Sequence, residues 1–426
     1  MLIIINLDDF YINYLIMTID IKQNVKHLII NTLQNSAFSQ LNKARKDFIV
    51  SVLWHFLSIK GRINFMQLGR YSQYCEQTHR IHFEKDFDFL SFNMSLAERI
   101  ISKDRIVALD PCYIPKSGKE TYGKGKFWSG CDKAPKWGLD ICGFAVVDVE
   151  NNTAFHLKAW QTLGIQERNP QEFNLLSHYA GIVSQNAKAF REISTYVVAD
   201  AYFSKKPFVD GILEAELHFI SRLRDDSVLM YNHYGKSTGK RGRPRKFEGR
   251  VNINNPDTSY FEKEICNEEL TIYTAVVYSK AFNREIKLVI AVFYKEGREV
   301  ARKLYFSTDL NQQGMQIVRY YRSRFQIEFL YRDAKQHTGL TDCQARSEKK
   351  LDFHFNASLT AVNLAKFDWL IGNKDSNTTF SMSNYKTFFH NALILDRFIC
   401  RFAINPNTAK NQKIINELLD FGRIAA

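Results

Sequence analysis

One stretch of the sequence, residues 315–340, is predicted to form a helix with a single carboxylate among cations on one face. It contains no proline, it follows a Ser307-Thr308-Asp309 cluster that can start a helix, and its apolar residues recur at helical spacing. At about 100° per residue, an arc of roughly 60° holds four side chains: Tyr321, Arg324, Glu328 and Lys335. Taken alone, such a face is also typical of a solvated basic helix with paired charges.

The spacing of these four residues is more specific than their charge. It runs Tyr, two residues, Arg, three residues, Glu, six residues, Lys. This resembles, without a mismatch, the signature of bacterial insertion-sequence transposases whose active site is an Asp-Asp-Glu (DDE) triad. The resemblance implies that Glu328 is the third metal-binding carboxylate and that two aspartates lie upstream at strand ends. It also implies that Tyr321, Arg324 and Lys335 contact the DNA of the transposon end.

Two aspartates close apolar runs upstream of this stretch. IVALD ends at Asp110, just before Pro111, and TYVVAD ends at Asp200. Four acids lack such a position or the right helix face: Asp140, Asp148, Asp210 and Asp333. A strand-end aspartate considered singly is also explained as a helix cap or turn former. The three acids together favour a site of Asp110, Asp200 and Glu328.

The order of the predicted elements from Arg105 onward is three strands, helix, strand, helix, strand. This resembles the ribonuclease-H-like fold, in which the first and fourth strands lie side by side and would bring Asp110 and Asp200 together. Residues 224–309 are predicted to be β-rich, which resembles the insertion found in this transposase class. The predicted fold is therefore α/β, a ribonuclease-H-like core interrupted by a β-rich insertion, with helical N-terminal and C-terminal regions.

The predicted division of the chain has five parts. A helical N-terminal domain has the outline of a helix-turn-helix, although two packed helices with a glycine turn also occur in bundles that bind no DNA. In the helical C-terminal region, His354 and Asn356 are expected to be core residues with hydrogen-bond partners. The parts are the N-terminal domain 1–101, the first core segment 102–223, the insertion 224–310, the last core segment 311–345 and the C-terminal region 346–426.

The remaining DNA-binding candidates are basic. The run from Lys236 to Arg250 has seven Lys or Arg and one acid, and its Arg-Gly-Arg-Pro core resembles an AT-hook, in which arginines enter the minor groove. A flexible basic loop that contacts only phosphates fits the same run. The candidates are Arg241, Arg243 and Arg245 in this run, and Lys116 and Lys119 in the loop after Asp110.

Charge and cysteine content indicate which partner and which cellular compartment to expect. The net charge of +13 over 426 residues favours a polyanionic partner. The seven cysteines include no Cys-x-x-Cys pair, which indicates neither a disulfide framework nor a zinc site and suits a reducing compartment. The apolar first residues are broken by Asp8 and Asp9, which argues against a signal peptide or a membrane span. We expect a cytoplasmic protein that associates with the nucleoid when bound to DNA.

These observations predict a DNA transposase of an insertion sequence. It would bind terminal inverted repeats of double-stranded DNA as a dimer, cleave a strand and transfer it. Two Mg²⁺ ions, for which Mn²⁺ would substitute, can activate water and stabilise the leaving oxygen, and a few carboxylates suffice to bind them. The alternatives are a non-catalytic DNA-binding regulator derived from a transposase and a ribonuclease-H-like nuclease without strand transfer.

Overall fold

The structure is a computed structural model that describes residues 20–164, 174–233, 235, 245–372 and 379–424. Helices lie at both ends of the chain and a large mixed sheet lies between them, as the sequence predicts. The N-terminal helices are α1 Asp20–Leu33, α2 Lys43–Ser58, α3 Phe65–Tyr71, α4 Glu76–Phe83 and α5 Phe89–Ala97. Asparagine or aspartate side chains cap the first turn of three of them, since backbone amides there lack helical partners: Asn42, Asn64 and Asp88.

Within the described ranges, twelve strands form one sheet. In chain order they are β1 Arg105–Pro115, β2 Gly125–Ser129, β3 Ala134–Asp148, β4 Thr153–Thr162, β5 Tyr196–Val198, β6 His218–Arg222, β7 Leu229–Asn232, β8 Phe247–Arg250, β9 Glu262–Cys266, β10 Leu270–Ser279, β11 Arg284–Lys295 and β12 Arg298–Ser307. The spatial order is β2-β3-β1-β5-β6-β12-β11-β10-β7-β8, with β4 paired to β3 and β9 to β10. The described strands of the predicted β-rich insertion, β7 to β12, therefore continue the same sheet and join the core through the pairing of β12 with β6.

The part of the sheet that matters for the site is β4-β3-β1-β5-β6. β1 runs antiparallel to β3 and parallel to β5, and β5 runs parallel to β6. The parallel register pairs Val107 with Val197 and Ala108 with Val198. Beyond Ala108, β1 loses its β5 partner but stays paired to β3 as far as Pro115. The expectation that Asp110 ends the strand is therefore wrong, because β3 offers antiparallel partners for five residues more.

Helices pack on the sheet. Between strands lie α6 Leu175–Gln185, α7 Ala187–Ile193 and α8 Lys206–Glu214, and after β12 follow α9 Gly314–Ser323, α10 Gln326–His337, α11 Glu348–Gly372, α12 Met382–Arg401 and α13 Ala409–Leu419. From Leu351 to Phe367, all but one residue of α11 is buried, which marks it as the central helix of the C-terminal region. None of the helices in the described ranges is both long and apolar enough to span a membrane.

Two asparagines of α11 cover the outer edge of β4. Asn356 accepts from the amide of Ala159 at 2.8 Å and donates to the carbonyl of the same residue at 3.1 Å. Asn363 forms the same pair of bonds with His156, at 2.8 Å each. Each side chain replaces the partner that another strand would supply, so the edge cannot pair with a second chain. Asn356 is thus a core residue with hydrogen-bond partners, as expected, and so is His354, whose Nε2 lies 2.7 Å from the carbonyl oxygen of Gly339.

Candidate active site

The first two acids lie where β1 and β5 separate. Asp110 is opposite Gly143 of β3, two residues beyond the last β1–β5 pair, and its side chain is 19% exposed. Asp200 follows β5 by two residues and caps a 3₁₀ turn, Ala201–Phe203, where its carboxylate accepts from the amide of Tyr202 at 3.0 Å. Asp200 is therefore also the cap former that its sequence position allows, and the cap fixes the direction of its carboxylate.

The predicted single helix over residues 315–340 is two helices in the structure, α9 and α10. At the junction, the amides of Phe325, Ile327 and Glu328 each bond to a carbonyl three residues back, at 3.3, 3.1 and 3.0 Å. Such bonds are tighter than those of an α-helix. The hydroxyl of Ser323 also donates to the carbonyl of Arg319 at 2.9 Å, a contact that often bends helices. Arg324 is the residue at this break.

The guanidinium of Arg324 joins the acids electrostatically. Its Nη1 lies 3.5 Å from Oδ1 of Asp110, and its Nη2 lies 3.2 Å from Oε1 of Glu328. Asp200 is a further electrostatic partner. Three carboxylates from β1, the end of β5 and the start of α10 thus surround one cation that is itself 12% exposed.

Burial controls the charge of the two aspartates. Loss of solvent raises the pKa of Asp110 to about 7; Arg324 opposes this rise, while Asp200 and Glu328 add to it. Burial also raises the pKa of Asp200, and again Arg324 opposes the rise. The carboxylates moreover raise the pKa of Arg324, although burial acts in the other direction. The site favours a bound cation, because a cation is what lets all three acids ionise together.

A cleft of about 620 Å³ opens beside these residues. Its walls include Asp110, Asp200 and Asp140, together with the aromatic side chains of Trp128 and Tyr202. Asp140 is not among the predicted site residues, because it does not close an apolar run. The structure places its carboxylate in the same cleft, where the hydroxyl of Tyr179 on α6 lies 3.4 Å away. β5 is only three residues long, a feature that the apolar run TYVVAD does not reveal.

Oxygen donors from Asp110, Asp200 and Glu328 suit Mg²⁺ or Mn²⁺, which prefer carboxylates and water. All three carboxylates interact electrostatically with Arg324, so their negative charge is concentrated around one guanidinium. Within the described ranges, however, no three acidic, histidine or cysteine side chains are arranged to bind a metal ion as they stand. Binding would require a rearrangement of side chains around Arg324.

The DNA-binding candidates fall in different environments. Tyr321 is half-buried, with its ring 5.8 Å from the guanidinium of Arg324 and 5.1 Å from the ring of Tyr305. Lys335 is exposed on α10 and lies close enough to Cys112 to bond to its thiol. The structure therefore keeps Tyr321 and Arg324 together but places Lys335 further along the next helix.

The basic candidates outside this helix pair differ in accessibility. Lys119 is exposed, whereas the ammonium of Lys116 donates to the backbone carbonyl of Cys343 and its pKa is lowered by burial. Arg245 is 61% exposed and lies 3.0 Å from a carboxylate oxygen of Glu248. Arg241 and Arg243 lie outside the described residues.

Tyr331, three residues after Glu328, is a site residue that the sequence pattern does not single out. Its hydroxyl accepts from the amide of Gly143 at 3.0 Å and donates to the carbonyl of Asp110. These bonds attach α10 to the pair of residues on β1 and β3 that carries the first acid. The available signal was the separation of three, which places Tyr331 next to Glu328 on a helix.

Comparison with known protein families found a match. A protein-family model described as a transposase DDE domain matches residues 181–364, which include Asp200, Glu328 and both α9 and α10. Asp110 lies upstream of the matched residues. No curated protein matched the chain. The match of these residues to a transposase DDE domain supports an insertion-sequence DDE transposase.

Proposed function

We propose that this protein is a DNA transposase of the insertion-sequence group that carries the Tyr, Arg, Glu and Lys signature. It binds the terminal inverted repeats of its element, cleaves one strand to release a 3′ hydroxyl, and transfers that hydroxyl to the opposite strand or to target DNA. The observation that carries the proposal is the convergence of Asp110 and Glu328 on Arg324, at 3.5 and 3.2 Å, beside Asp200. Asp200 and Glu328 lie within the residues that match the transposase DDE domain, and Asp110 joins them from the strand upstream.

The three acids are proposed as ligands of two divalent metal ions. Bound there, Mg²⁺ or Mn²⁺ would make a water nucleophilic and stabilise the leaving 3′ oxygen. Asp110 and Asp200 are anchored to β1 and to the end of β5, while Glu328 is carried by α10 and held through Tyr331. Rigid strands on one side and a hydrogen-bonded helix on the other would keep the oxygens in place during the reaction.

Arg324, Tyr321 and Lys335 are proposed to hold the DNA backbone next to the acids. Arginine can grip a phosphate with two hydrogen bonds, lysine attracts it as a point charge, and tyrosine offers a hydroxyl. Lys119 and Arg245 are exposed and can add phosphate contacts, as can Arg241 and Arg243. Lys116 is a weaker candidate, because its ammonium is engaged by the carbonyl of Cys343.

We also propose that the core is ribonuclease-H-like. Support comes from the strand order β4-β3-β1-β5-β6, with β1, β5 and β6 parallel and β3 antiparallel to β1. The five-part division at residues 101, 223, 310 and 345 remains a proposal, as do DNA binding by the N-terminal domain and the pairing of two DNA ends by a dimer. The net charge of +13 supports a DNA partner.

The test is a strand-cleavage assay on labelled duplexes taken from the DNA that flanks this gene, with Mg²⁺, Mn²⁺ or Ca²⁺ and with a scrambled end as control. Metal-dependent release of a 3′ end at the repeat boundary, followed by joined products, would support the transposase. Tight binding specific for the repeat, without any cut, would identify a regulator. Cleavage without preference for the repeat and without joined products would identify a nuclease.

A further inference from the structure

The cation that interacts with the three acids is a side chain of the protein, the guanidinium of Arg324. Arg324 follows α9 directly, at a turn whose backbone stays helical, and its side chain points back among the carboxylates. It is 12% exposed, Asp110 is 19% exposed and Glu328 is 40% exposed. A guanidinium in this place offsets part of a charge of three carboxylates that would otherwise repel one another.

The contacts of this guanidinium are incomplete. Nη2 bonds to Glu328, but among the described residues Nε and Nη1 are buried without a hydrogen-bond partner of good geometry. The 3.5 Å separation from Asp110 is an ion pair and not a bidentate hydrogen-bonded fork. A guanidinium has five N–H donors to satisfy. Arg324 is therefore held here mainly by charge, and a group that offers two oxygens in fork geometry, such as a phosphate, would satisfy it better.

A metal ion bound through Oδ1 of Asp110 and Oε1 of Glu328 would take the carboxylate oxygens that face Arg324. The guanidinium would then lose both contacts and face a like charge in a half-buried site. The guanidinium and the metal ion therefore compete for the same oxygens. On its other side the guanidinium faces the half-buried ring of Tyr321, 5.8 Å away.

We propose that Arg324 is an internal counter-ion that occupies the acidic site until metal binds, and that its displacement couples metal binding to DNA binding. Metal drives the guanidinium out of the acids and frees it for a DNA phosphate. By reciprocity, a phosphate that captures Arg324 clears the acids and raises metal affinity. This inference rests on the proposed function, since it takes the three acids as the metal ligands, and it gives Arg324 a role before DNA is contacted.

The test measures metal binding directly, from the electron paramagnetic resonance signal of free Mn²⁺ during titration of the DNA-free protein. Arg324→Ala and Arg324→Gln both remove the counter-ion, and we expect each to bind Mn²⁺ about tenfold more tightly than the parent. Arg322→Ala is the matched control, because Arg322 is exposed and two residues away and its loss changes the net charge equally. We expect it to bind Mn²⁺ as the parent does.

A second measurement tests the coupling between metal binding and DNA binding. Ca²⁺ is added while binding of a fluorescent repeat-end duplex is measured by anisotropy. Ca²⁺ should tighten DNA binding by the parent and by Arg322→Ala about tenfold, and should have little effect on Arg324→Ala. Circular dichroism checks that each variant is folded.

The outcomes separate the inference from the proposed function. If the parent binds Mn²⁺ and Asp110→Asn does not, but Arg324→Ala and Arg324→Gln bind no more tightly than the parent, the counter-ion role is overturned and the metal site stands. If folded parent and folded Arg324→Ala both fail to bind Mn²⁺, with or without DNA, the assignment of the acids as metal ligands fails and the inference fails with it.

Discussion

The hydroxyl of Tyr331 accepts a hydrogen bond at 3.0 Å from the backbone amide of Gly143. Gly143 is the register partner of Asp110 across the β1–β3 pair, and the same hydroxyl donates to the carbonyl of Asp110. Tyr331 lies one turn beyond Glu328 on α10. One side chain thus fixes the distance between the helix that carries the third acid and the strand that carries the first.

Tyr331→Phe should loosen this attachment. The variant leaves buried backbone groups without the hydroxyl, which costs about 1–3 kcal/mol of unfolding free energy. Glu328 would be less well positioned, so strand cleavage should fall while binding of the repeat end stays near the parent value. Urea unfolding and the cleavage assay measure the two effects. Tyr260→Phe, at an exposed tyrosine, is the control and should change neither. Parent-like stability and cleavage for Tyr331→Phe would contradict the positioning role.

Gly143→Ala tests the same contact from the other side. A Cβ at residue 143 would overlap the Tyr331 hydroxyl, and once that oxygen is removed the nearest ring atom would be 3.1 Å away. Gly143→Ala alone should therefore be strongly destabilising. Adding Tyr331→Phe should recover part of the loss, so that the double variant is more stable than the sum of the two changes predicts. Urea unfolding of the parent, the two single variants and the double variant gives the coupling free energy between the two substitutions. Additive changes in unfolding free energy would show that the two residues act independently.

Asp110 should make stability depend on pH. Burial raises its pKa to about 7, whereas the carboxyl of an unfolded chain titrates near 3.8. Between these values the folded protein keeps a proton that the unfolded chain releases, so stability falls as pH rises through this window, by about 1.4 kcal/mol for each unit of pKa difference. Asp110→Asn removes this effect. It should therefore gain stability relative to the parent between about pH 4 and about pH 8, measured by urea unfolding in a chelator. A difference in unfolding free energy between the variant and the parent that does not change with pH would mean that Asp110 is ionised in the folded protein throughout this range.

The asparagines of α11 should be essential for stability and irrelevant to chemistry. Asn356→Ala and Asn363→Ala each leave a backbone amide and carbonyl of β4 unpaired, which should cost at least about 2 kcal/mol. The exposed Asn254→Ala is the control and should stay within about 0.5 kcal/mol of the parent. Because β4 would regain an open edge, the two core variants should also aggregate more, as measured by light scattering. An unfolding free energy equal to that of the parent would show that water replaces the hydrogen bonds of the two side-chain amides to β4.

Part of this architecture follows from the sequence. Short apolar runs separated by segments of helical periodicity predict a strand before Asp110 and another before Asp200. The structure pairs those two strands in parallel. The separation of Arg324 from Glu328 by four residues predicts that they share one helix face, and their side chains lie 3.2 Å apart across the junction of α9 and α10. Both inferences depend on local periodicity, which the amino-acid pattern carries.

The rest depends on contacts between distant segments. The continuation of β1 beyond Asp110 is set by β3, and the break at Arg324 depends on hydrogen bonds that helical periodicity does not report. Asp140 lies in an apolar run and is unremarkable until the cleft that it lines together with Tyr179 of α6 is known. Tyr331 resembles any buried tyrosine until its partner 188 residues away is known.

The most direct test of the account compares three variants: Asp110→Asn, Asp200→Asn and Glu328→Gln. Cleavage at the repeat boundary is measured in Mg²⁺, and binding of the same duplex is measured in Ca²⁺. If the three acids hold the metal ions, each variant should lose at least about a thousandfold in cleavage and bind the repeat nearly as the parent does. Cleavage that persists in any one of them, or loss of binding in all three while the proteins remain folded, would contradict the assignment.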